Sequence, residues 1–139
     1  MTLVSPGKPS RVKSFWVDAD TEDQVEDLYT CPPNCRGEIT MMHIVNANGN
    51  TTVDAYWYVA PQNIPTSKSS DPEYSTWIVS GYQSRILGGK NMTGGEFIQL
   101  TGATLVLEPG DKLQIKPSGN AAPHIDALCT VTETFIPVG

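Results

Sequence analysis

Residues 103–115, ATLVLEPGDKLQI, are the stretch that decides the fold class of this chain. Apolar and polar residues alternate over residues 103–107 and again after the turn, which is the period of a β-strand with one buried face. Pro109-Gly110-Asp111 separates the two runs. Proline presets φ for the first corner of a turn, and glycine adopts positive φ at the second corner without steric cost. The stretch therefore predicts two strands joined as a β-hairpin.

The rest of the chain repeats this pattern. Asn48-Gly49 predicts a second hairpin between strands at residues 38–46 and 51–60. Residues 76–87 fit a strand better than a short helix, because they are rich in β-branched and aromatic residues, with Gly81 as a bulge. About seven to nine strands at short, regular spacing predict an all-β fold, a single antiparallel β-sandwich of jelly-roll or immunoglobulin-like type.

Residues 38–46, EITMMHIVN, alternate without interruption. This places Ile39 and His43 on one face of the strand and Ile44 on the other. Both faces are partly apolar, so the strand is expected to be covered on both sides or to lie at an interface.

The length and the net charge of the chain limit the possible classes of function. The chain has 139 residues and a formal net charge of -6, which fits one acidic domain. An acidic surface without charge clusters argues against direct binding of nucleic acid or anionic lipid. No apolar run has the length of a membrane span, and the N-terminus lacks the apolar core of a signal peptide. We therefore expect that the chain is made in a cytoplasm and does not associate with a membrane.

Two segments are candidates for contacts with partners. Residues 1–13 are predicted to be an extended N-terminal arm ahead of a β-sandwich domain at residues 14–139. Such an arm can add as an extra strand to a neighbour's sheet. Residues 61–75 form a long polar loop, and loops of that length usually carry function or an interface.

The three cysteines leave three readings open. Cys31 and Cys35 could close a small disulfide loop, or they could join Cys129 and either His43 or His124 around zinc. Synthesis in a cytoplasm and the odd third cysteine disfavour the disulfide, and the spacing matches no common zinc pattern, so buried thiols are favoured. We predict no metal ion and no cofactor.

No segment pairs a nucleophile with a base, so we predict that the chain is not an enzyme. Residues 18–27 are acidic but lack the glycine and terminal glutamate of a calcium loop, and we expect a solvated surface there.

Aromatic residues supply the remaining site candidates. Trp57 fits the core face of its strand, so Tyr56 and Tyr58 on either side of it point to the other face. There they could anchor a protein interface, form a carbohydrate platform or lie under a second sheet. The predicted interface residues are Tyr56, Tyr58, Tyr74 and Trp77, with Val4 and Pro6 of the arm.

Five short segments carry a resemblance to a known family. They are Ile44-Val45-Asn46, residues 51–55 (TTVDA), residues 88–91 (GGKN), residues 105–113 (LVLEPGDKL) and residues 129–133 (CTVTE). With these segments the chain, from about Leu28 to its end, resembles small structural proteins of tailed-bacteriophage particles, notably those of marine and cyanobacterial phages.

The resemblance implies a non-enzymatic virion protein, made in the host cytoplasm and located in the phage particle. The leading hypothesis is a capsid decoration (cement) protein, a homo-oligomer that binds the major capsid protein and stabilises the head. The alternative is a component of the neck, tail or fibre that binds other neck or tail proteins, with or without carbohydrate receptor binding. The family motifs bring no catalytic residues.

Overall fold

The computed structural model describes residues 10–136, without the side chains of residues 103 and 104. Within that range the chain forms eight strands, a short helix and two 3-10 turns. The strands are β1 Ser10–Ala19, β2 Glu26–Thr30, β3 Cys35–Asn46, β4 Thr51–Val59, β5 Tyr82–Met92, β6 Phe97–Leu107, β7 Lys112–Ser118 and β8 Ile125–Phe135. The helix α1 is Tyr74–Ser80, and the 3-10 turns are Pro61–Asn63 and Thr66–Lys68. Residues 10–13 of the predicted arm belong to β1, whereas Val4, Pro6 and the rest of the arm lie outside the described residues.

The strands form two four-stranded antiparallel sheets. Sheet 1 has the order β1-β8-β3-β6, and sheet 2 has the order β2-β7-β4-β5. The predicted all-β antiparallel sandwich is therefore confirmed. Successive strands alternate between the sheets, except that β4 and β5 are neighbours in sheet 2. Eight strands wound in this way define a jelly roll, which decides between the two predicted types of sandwich.

The two predicted hairpins are wrong in their pairing. β6 pairs with β3 in sheet 1, whereas β7 pairs with β2 and β4 in sheet 2. The turn at Pro109-Gly110 is therefore a corner between sheets, and Asn48-Gly49 forms a second such corner between β3 and β4. Gly110 and Gly49 do adopt the expected positive φ, at 91° and 62°. Turn chemistry bends the chain in either case, but burial of both inward faces selects the partner strands.

The predicted strand at residues 76–87 is also partly wrong. Its first half belongs to α1, and only the part from Tyr82 onward is strand. Gly81 ends the helix rather than forming a bulge, since it has φ 80° and its N–H bonds the Trp77 carbonyl at 2.8 Å. A Cβ at Gly81 would lie 2.5 Å from the Tyr58 ring. Local β propensity is overridden here by the way the segment packs on β4.

β8 shows how alternation produces the core. Ile125, Ala127, Cys129 and Val131 are buried at every second position, as the sequence predicts. Because the period of a strand is two, the same face continues to Glu133, which is also buried. The fold thus places a carboxylate between the sheets.

Glu133 links the two sheets by hydrogen bonds at the edge of the sandwich where β1 of sheet 1 faces β2 of sheet 2. Arg11 Nε on β1 donates to one carboxylate oxygen at 2.6 Å, and the Tyr29 hydroxyl on β2 donates to the other at 2.7 Å. Burial acts to raise the pKa of Glu133, but the hydrogen bonds from Tyr29 and Arg11 outweigh it and hold the pKa below its ordinary value. Burial and the bond to Glu133 raise the pKa of Tyr29, so the hydroxyl keeps its proton and remains a donor. One charged side chain therefore links three strands from both sheets.

Asp111 holds the corner between β6 and β7. It is fully buried, and its carboxylate accepts four hydrogen bonds. The donors are Asn63 Nδ2 at 2.8 Å, Ala60 N at 2.9 Å, Glu108 N at 3.1 Å and Trp57 Nε1 at 3.2 Å. The corner is thereby tied to the end of β4 and to the 3-10 turn that follows it.

We expect Asp111→Ala to lower the free energy of unfolding by roughly 3 kcal/mol, because several buried donors lose their acceptor. Urea denaturation followed by circular dichroism measures this. Asp71→Ala is the control, because the exposed carboxylate of Asp71 accepts only one hydrogen bond, from Glu73 N at 2.9 Å, and its loss should cost less than about 1 kcal/mol. Equal losses in the two variants would contradict the role given to Asp111.

The lowered pKa of Glu133 makes its contribution dependent on pH. A depressed folded pKa contributes stability that is complete above the unfolded pKa, about 4.3, and is lost as pH falls through the folded value. We therefore expect wild type to exceed Glu133→Gln in Tm at pH 7, and the gap to narrow below about pH 4. Thermal melts from pH 7 to pH 3 test this, with the exposed Glu22→Gln as control. A gap that does not change with pH would refute it.

Candidate binding surfaces

The outer face of sheet 1 carries apolar and aromatic side chains across all four strands. Trp16 on β1 is opposite Leu128 on β8, and Leu128 is opposite His43 on β3. The His43 ring stacks on Phe97 of β6 with centroids 5.4 Å apart. Trp16 is 74% exposed and Phe97 is 61% exposed. We call Trp16, Leu128, His43 and Phe97 the sheet 1 band.

A β-bulge in β3 puts His43 on this face. The register of β3 shifts between Ile39 and Met41 against both of its neighbours. Ile39 points into the core before the bulge, and Met42 and Ile44 point into it afterwards. The expectation that Ile39 and His43 share a face is therefore wrong, because a bulge inserts a residue and reverses the alternation beyond it.

The sheet 1 band has the composition of a protein interface. Its centre is aromatic and aliphatic, and its flanks are polar. On one side the Ser14 and Thr130 hydroxyls lie 3.4 Å apart, and on the other side Asp18 and Asp126 are opposite each other. Protein interfaces combine an aromatic centre with a polar rim, and contiguous exposed apolar groups mark such sites.

Of the residues in the sheet 1 band, the sequence connects only His43 with a possible interface, through its strand at residues 38–46. For Trp16, Leu128 and Phe97 the only available signal is an aromatic or apolar residue at an outward position of a strand.

Of the predicted tyrosines, Tyr56 and Tyr58 lie on the outer face of sheet 2, where Tyr56 is buried and Tyr58 is half-buried. Tyr56 is 5% exposed, with the Arg85 guanidinium 5.8 Å from its ring centre. The Tyr58 hydroxyl donates to the Ser80 carbonyl at 2.9 Å, and Lys112 Nζ lies 5.7 Å from the Tyr58 ring centre. Little of the Tyr56 ring is available to a partner in this chain, and its part in an interface stays a prediction.

Tyr74 and Trp77 both lie on α1 and are half-buried. The fold separates Trp77 from Tyr56 and brings it to Tyr82 of β5, with ring centroids 4.9 Å apart and planes at 58°. Together with Trp57 these two rings line a cavity of about 610 Å³.

This cavity lies between sheet 2, the β6–β7 corner and the segment at residues 63–77. Its polar lining includes Lys68, Asp71 and Ser84, and Asp111 lies against it. Ligand pockets in proteins typically measure ~300–1,000 Å³. The long loop predicted to carry function thus does form a wall of a cavity.

A second cavity, of about 490 Å³, lies along the same edge of the sandwich. Ile86 of β5 and Leu100 of β6 line its sides, while Ile39, Met42 and Leu113 reach it from the core. The sheets therefore separate along the β5 and β6 edge, opposite the edge that Glu133 closes.

The three cysteines are buried and free. Burial raises the pKa of the Cys31 thiol to about 11 and that of Cys129 to about 12. The Cys31 thiol donates weakly to the Cys35 carbonyl at 3.3 Å. The Cys31 and Cys129 thiols are therefore protonated near neutral pH and react poorly, in keeping with the favoured reading of small buried side chains.

We expect the native protein to react only slowly with a thiol reagent such as Ellman's reagent, because only the exposed thiolate is a nucleophile. After unfolding in guanidinium without reductant, all three thiols should react. A yield of one thiol after unfolding would instead show that one disulfide is present, as in the Cys31–Cys35 reading that the sequence left open.

One group of potential metal ligands occurs among the described residues. Asp18, His124 and Asp126 are exposed, and one ligand atom of each lies within 4.8 Å of the others. His124 Nε2 is 3.5 Å from Asp126 Oδ1, and a hydrogen bond with Asp126 raises the pKa of Asp18. Exposed groups of this kind are common without a bound ion, so no metal is assigned to them. The group includes His124 but none of the cysteines considered for zinc.

Within residues 10–136, no helix has the length and apolar composition needed to cross a membrane.

Comparison with models of protein families finds no match, and comparison with curated proteins finds none. Among solved structures, a chain of the disulfide-linked pili of Bacillus endospore appendages is 12% identical with a TM-score of 0.48, over 99% of this chain and 98% of that chain. A chain of infectious bursal disease virus, Gx strain, is 10% identical with a TM-score of 0.49, over 91% of this chain and 33% of that chain. A chain from the acid-stable capsid of Helicobacter pylori bacteriophage KHP30 is 8% identical with a TM-score of 0.42, over 94% of this chain and 97% of that chain.

Structures similar to this chain thus include those of virus particles and of a pilus. The chain spans one third of the length of the bursal disease virus chain. At these identities and TM-scores, the likenesses carry no conclusion about what this chain binds or where it assembles.

Proposed function

We propose that this chain is a non-enzymatic structural protein of a virus particle, and specifically a capsid decoration protein that binds the assembled shell and stabilises it. The observation that carries the proposal is the sheet 1 band, an exposed aromatic and apolar strip on a rigid antiparallel sheet. The resemblance of the chain to small phage structural proteins supports the choice of a virion as the setting.

Binding to the shell works by burial of apolar surface. A standard protein interface buries about 1,600 Å² in total, and a few aromatic anchors near its centre supply most of the binding energy. Trp16 is the best anchor of the band, because most of its large ring is exposed and its backbone is held in the β1–β8 ladder. Clamping neighbouring shell subunits in this way raises the energy needed to separate them.

The N-terminal arm, which includes Val4 and Pro6, provides a second contact in this proposal. β1 is an edge strand and leads directly from residue 10. An arm that leaves from an edge strand can pair with a neighbouring sheet and link copies of the chain into a homo-oligomer. The acidic charge of the chain fits a protein partner rather than nucleic acid.

A neck, tail or fibre component would use the same face on a different part of the particle. Copy number separates the two positions. Hundreds of copies per purified particle support decoration of the head, whereas about six to a few dozen support the neck or tail.

We expect Trp16→Asp to weaken binding to particles that lack this protein by at least about tenfold, because the substitution removes the anchor and places a charge in the interface. Co-sedimentation of purified protein with such particles measures this. Val79→Asp on α1 is the matched control, since Val79 is 75% exposed against 74% for Trp16 but lies away from sheet 1. Equal binding by the two variants would show that the band is not the contact surface.

A further inference from the structure

We propose that the cavity of about 610 Å³ between sheet 2 and the segment at residues 63–77 binds a neutral carbohydrate. The proposal does not depend on the position of the chain in a particle. No residue of the sheet 1 band lines the cavity, so binding to the shell and binding of a glycan would use separate surfaces.

Three aromatic rings form the walls of the cavity, and each comes from a different element. Trp57 is on β4, Trp77 on α1 and Tyr82 on β5. Trp77 and Tyr82 pack against each other, and the bond from Trp57 Nε1 to Asp111 sets the plane of the third ring. The rings are therefore held in place before a ligand arrives, which lowers the entropy cost of binding.

The charges that line the cavity disfavour an anionic ligand, because one lysine and three carboxylates lie there. Asp111 is fully buried and its carboxylate is occupied by four internal hydrogen bonds. Glu108 is paired with Arg36, with nitrogen–oxygen distances of 2.8 and 3.2 Å. Asp111 keeps its negative charge because all four of its donors are neutral, and Lys68 and Asp71 add one charge of each sign. An anionic ligand would meet Asp71 and Asp111 as like charges, and a cationic ligand would meet Lys68 as one.

The remaining polar groups include both donors and acceptors. Lys68 Nζ and the Ser84 hydroxyl line the cavity, and neither forms a hydrogen bond with another described side chain of residues 10–136. Asp71 accepts one bond, from Glu73 N, through Oδ1, and its other oxygen remains available. A purely apolar ligand would desolvate these groups without compensation, at a cost of about 1–3 kcal/mol each.

A sugar ring satisfies all of these constraints together. Its hydroxyl groups both donate and accept, and its C–H face is apolar and packs on an aromatic ring. Pockets that combine aromatic walls with a few placed polar groups are the usual form of small-molecule sites. The aromatic walls, the acidic lining and the unused donors and acceptors therefore favour a hydroxyl-rich ligand that has an apolar face and no negative charge.

The full chain is tested on an array that carries neutral, sialylated and sulfated glycans. We expect signal on neutral glycans. The soluble oligosaccharide that corresponds to the strongest signal is then titrated by calorimetry into wild type, Trp77→Ala and Trp16→Ala. Loss of the wall ring in Trp77→Ala should weaken binding by at least about tenfold. Trp16→Ala removes an exposed tryptophan outside the cavity and should bind like wild type.

Tyr82→Ala is a second cavity variant in case Trp77→Ala does not fold, and circular dichroism establishes the fold of each. An array without signal, or with signal only on anionic glycans, overturns the proposal. Unchanged binding by the cavity variants, or loss of binding in Trp16→Ala, overturns it as well. Co-sedimentation with particles is a separate readout, so failure of glycan binding and failure of the proposed shell binding can be distinguished.

Discussion

The fold depends on a buried carboxylate at a corner. Asp111 accepts hydrogen bonds from the β6–β7 turn itself, from the end of β4, from the 3-10 turn after β4 and from an aromatic side chain of the core. A buried carboxylate is tolerated only when its oxygens are satisfied, so these partners must be in place together. The corner therefore positions the segment that follows β4, and through Trp57 it also sets one wall of the large cavity.

The sandwich is closed on one edge and open on the other, and polar chemistry accounts for the closed edge. Glu133 lies between the sheets because the alternation of β8 continues to it, and Arg11 and Tyr29 supply donors from two other strands. Along β5 and β6 the sheets separate, and both cavities lie there. The outer face of sheet 1 is a separate surface that carries the exposed aromatic and apolar side chains of the sheet 1 band. The two proposed binding activities thus use regions that the fold keeps apart.

Sequence reasoning located some parts of the candidate sites and missed others for identifiable reasons. Residues 61–75 were marked as functional by their length and composition, and that segment does line the cavity. Trp77 was marked as aromatic but assigned to a strand, because its β-branched neighbours favour strands when packing is ignored. Alternation predicts Tyr56 on the face opposite Trp57, where an interface, a carbohydrate platform and cover by a second sheet are all possible. Alternation alone does not show that Arg85 and neighbouring strands cover this face. His43 faces outward because of the bulge between Ile39 and Met41, and no pattern of residues in the sequence predicts that bulge.

By itself the sequence determined the class of fold: strands from the two-residue period, turns at Pro109-Gly110 and Asn48-Gly49, and a buried face on each strand. These are local properties, set by side-chain alternation and by residues that accept positive φ. Only the tertiary structure decided which strands pair. A tight turn can return the chain along its own sheet or carry it across to the facing sheet, and the local chemistry of the turn is the same in both cases. Burial of all the inward faces at once selects the jelly-roll order, and the residues 103–115 that predict a hairpin become the corner that joins the two sheets.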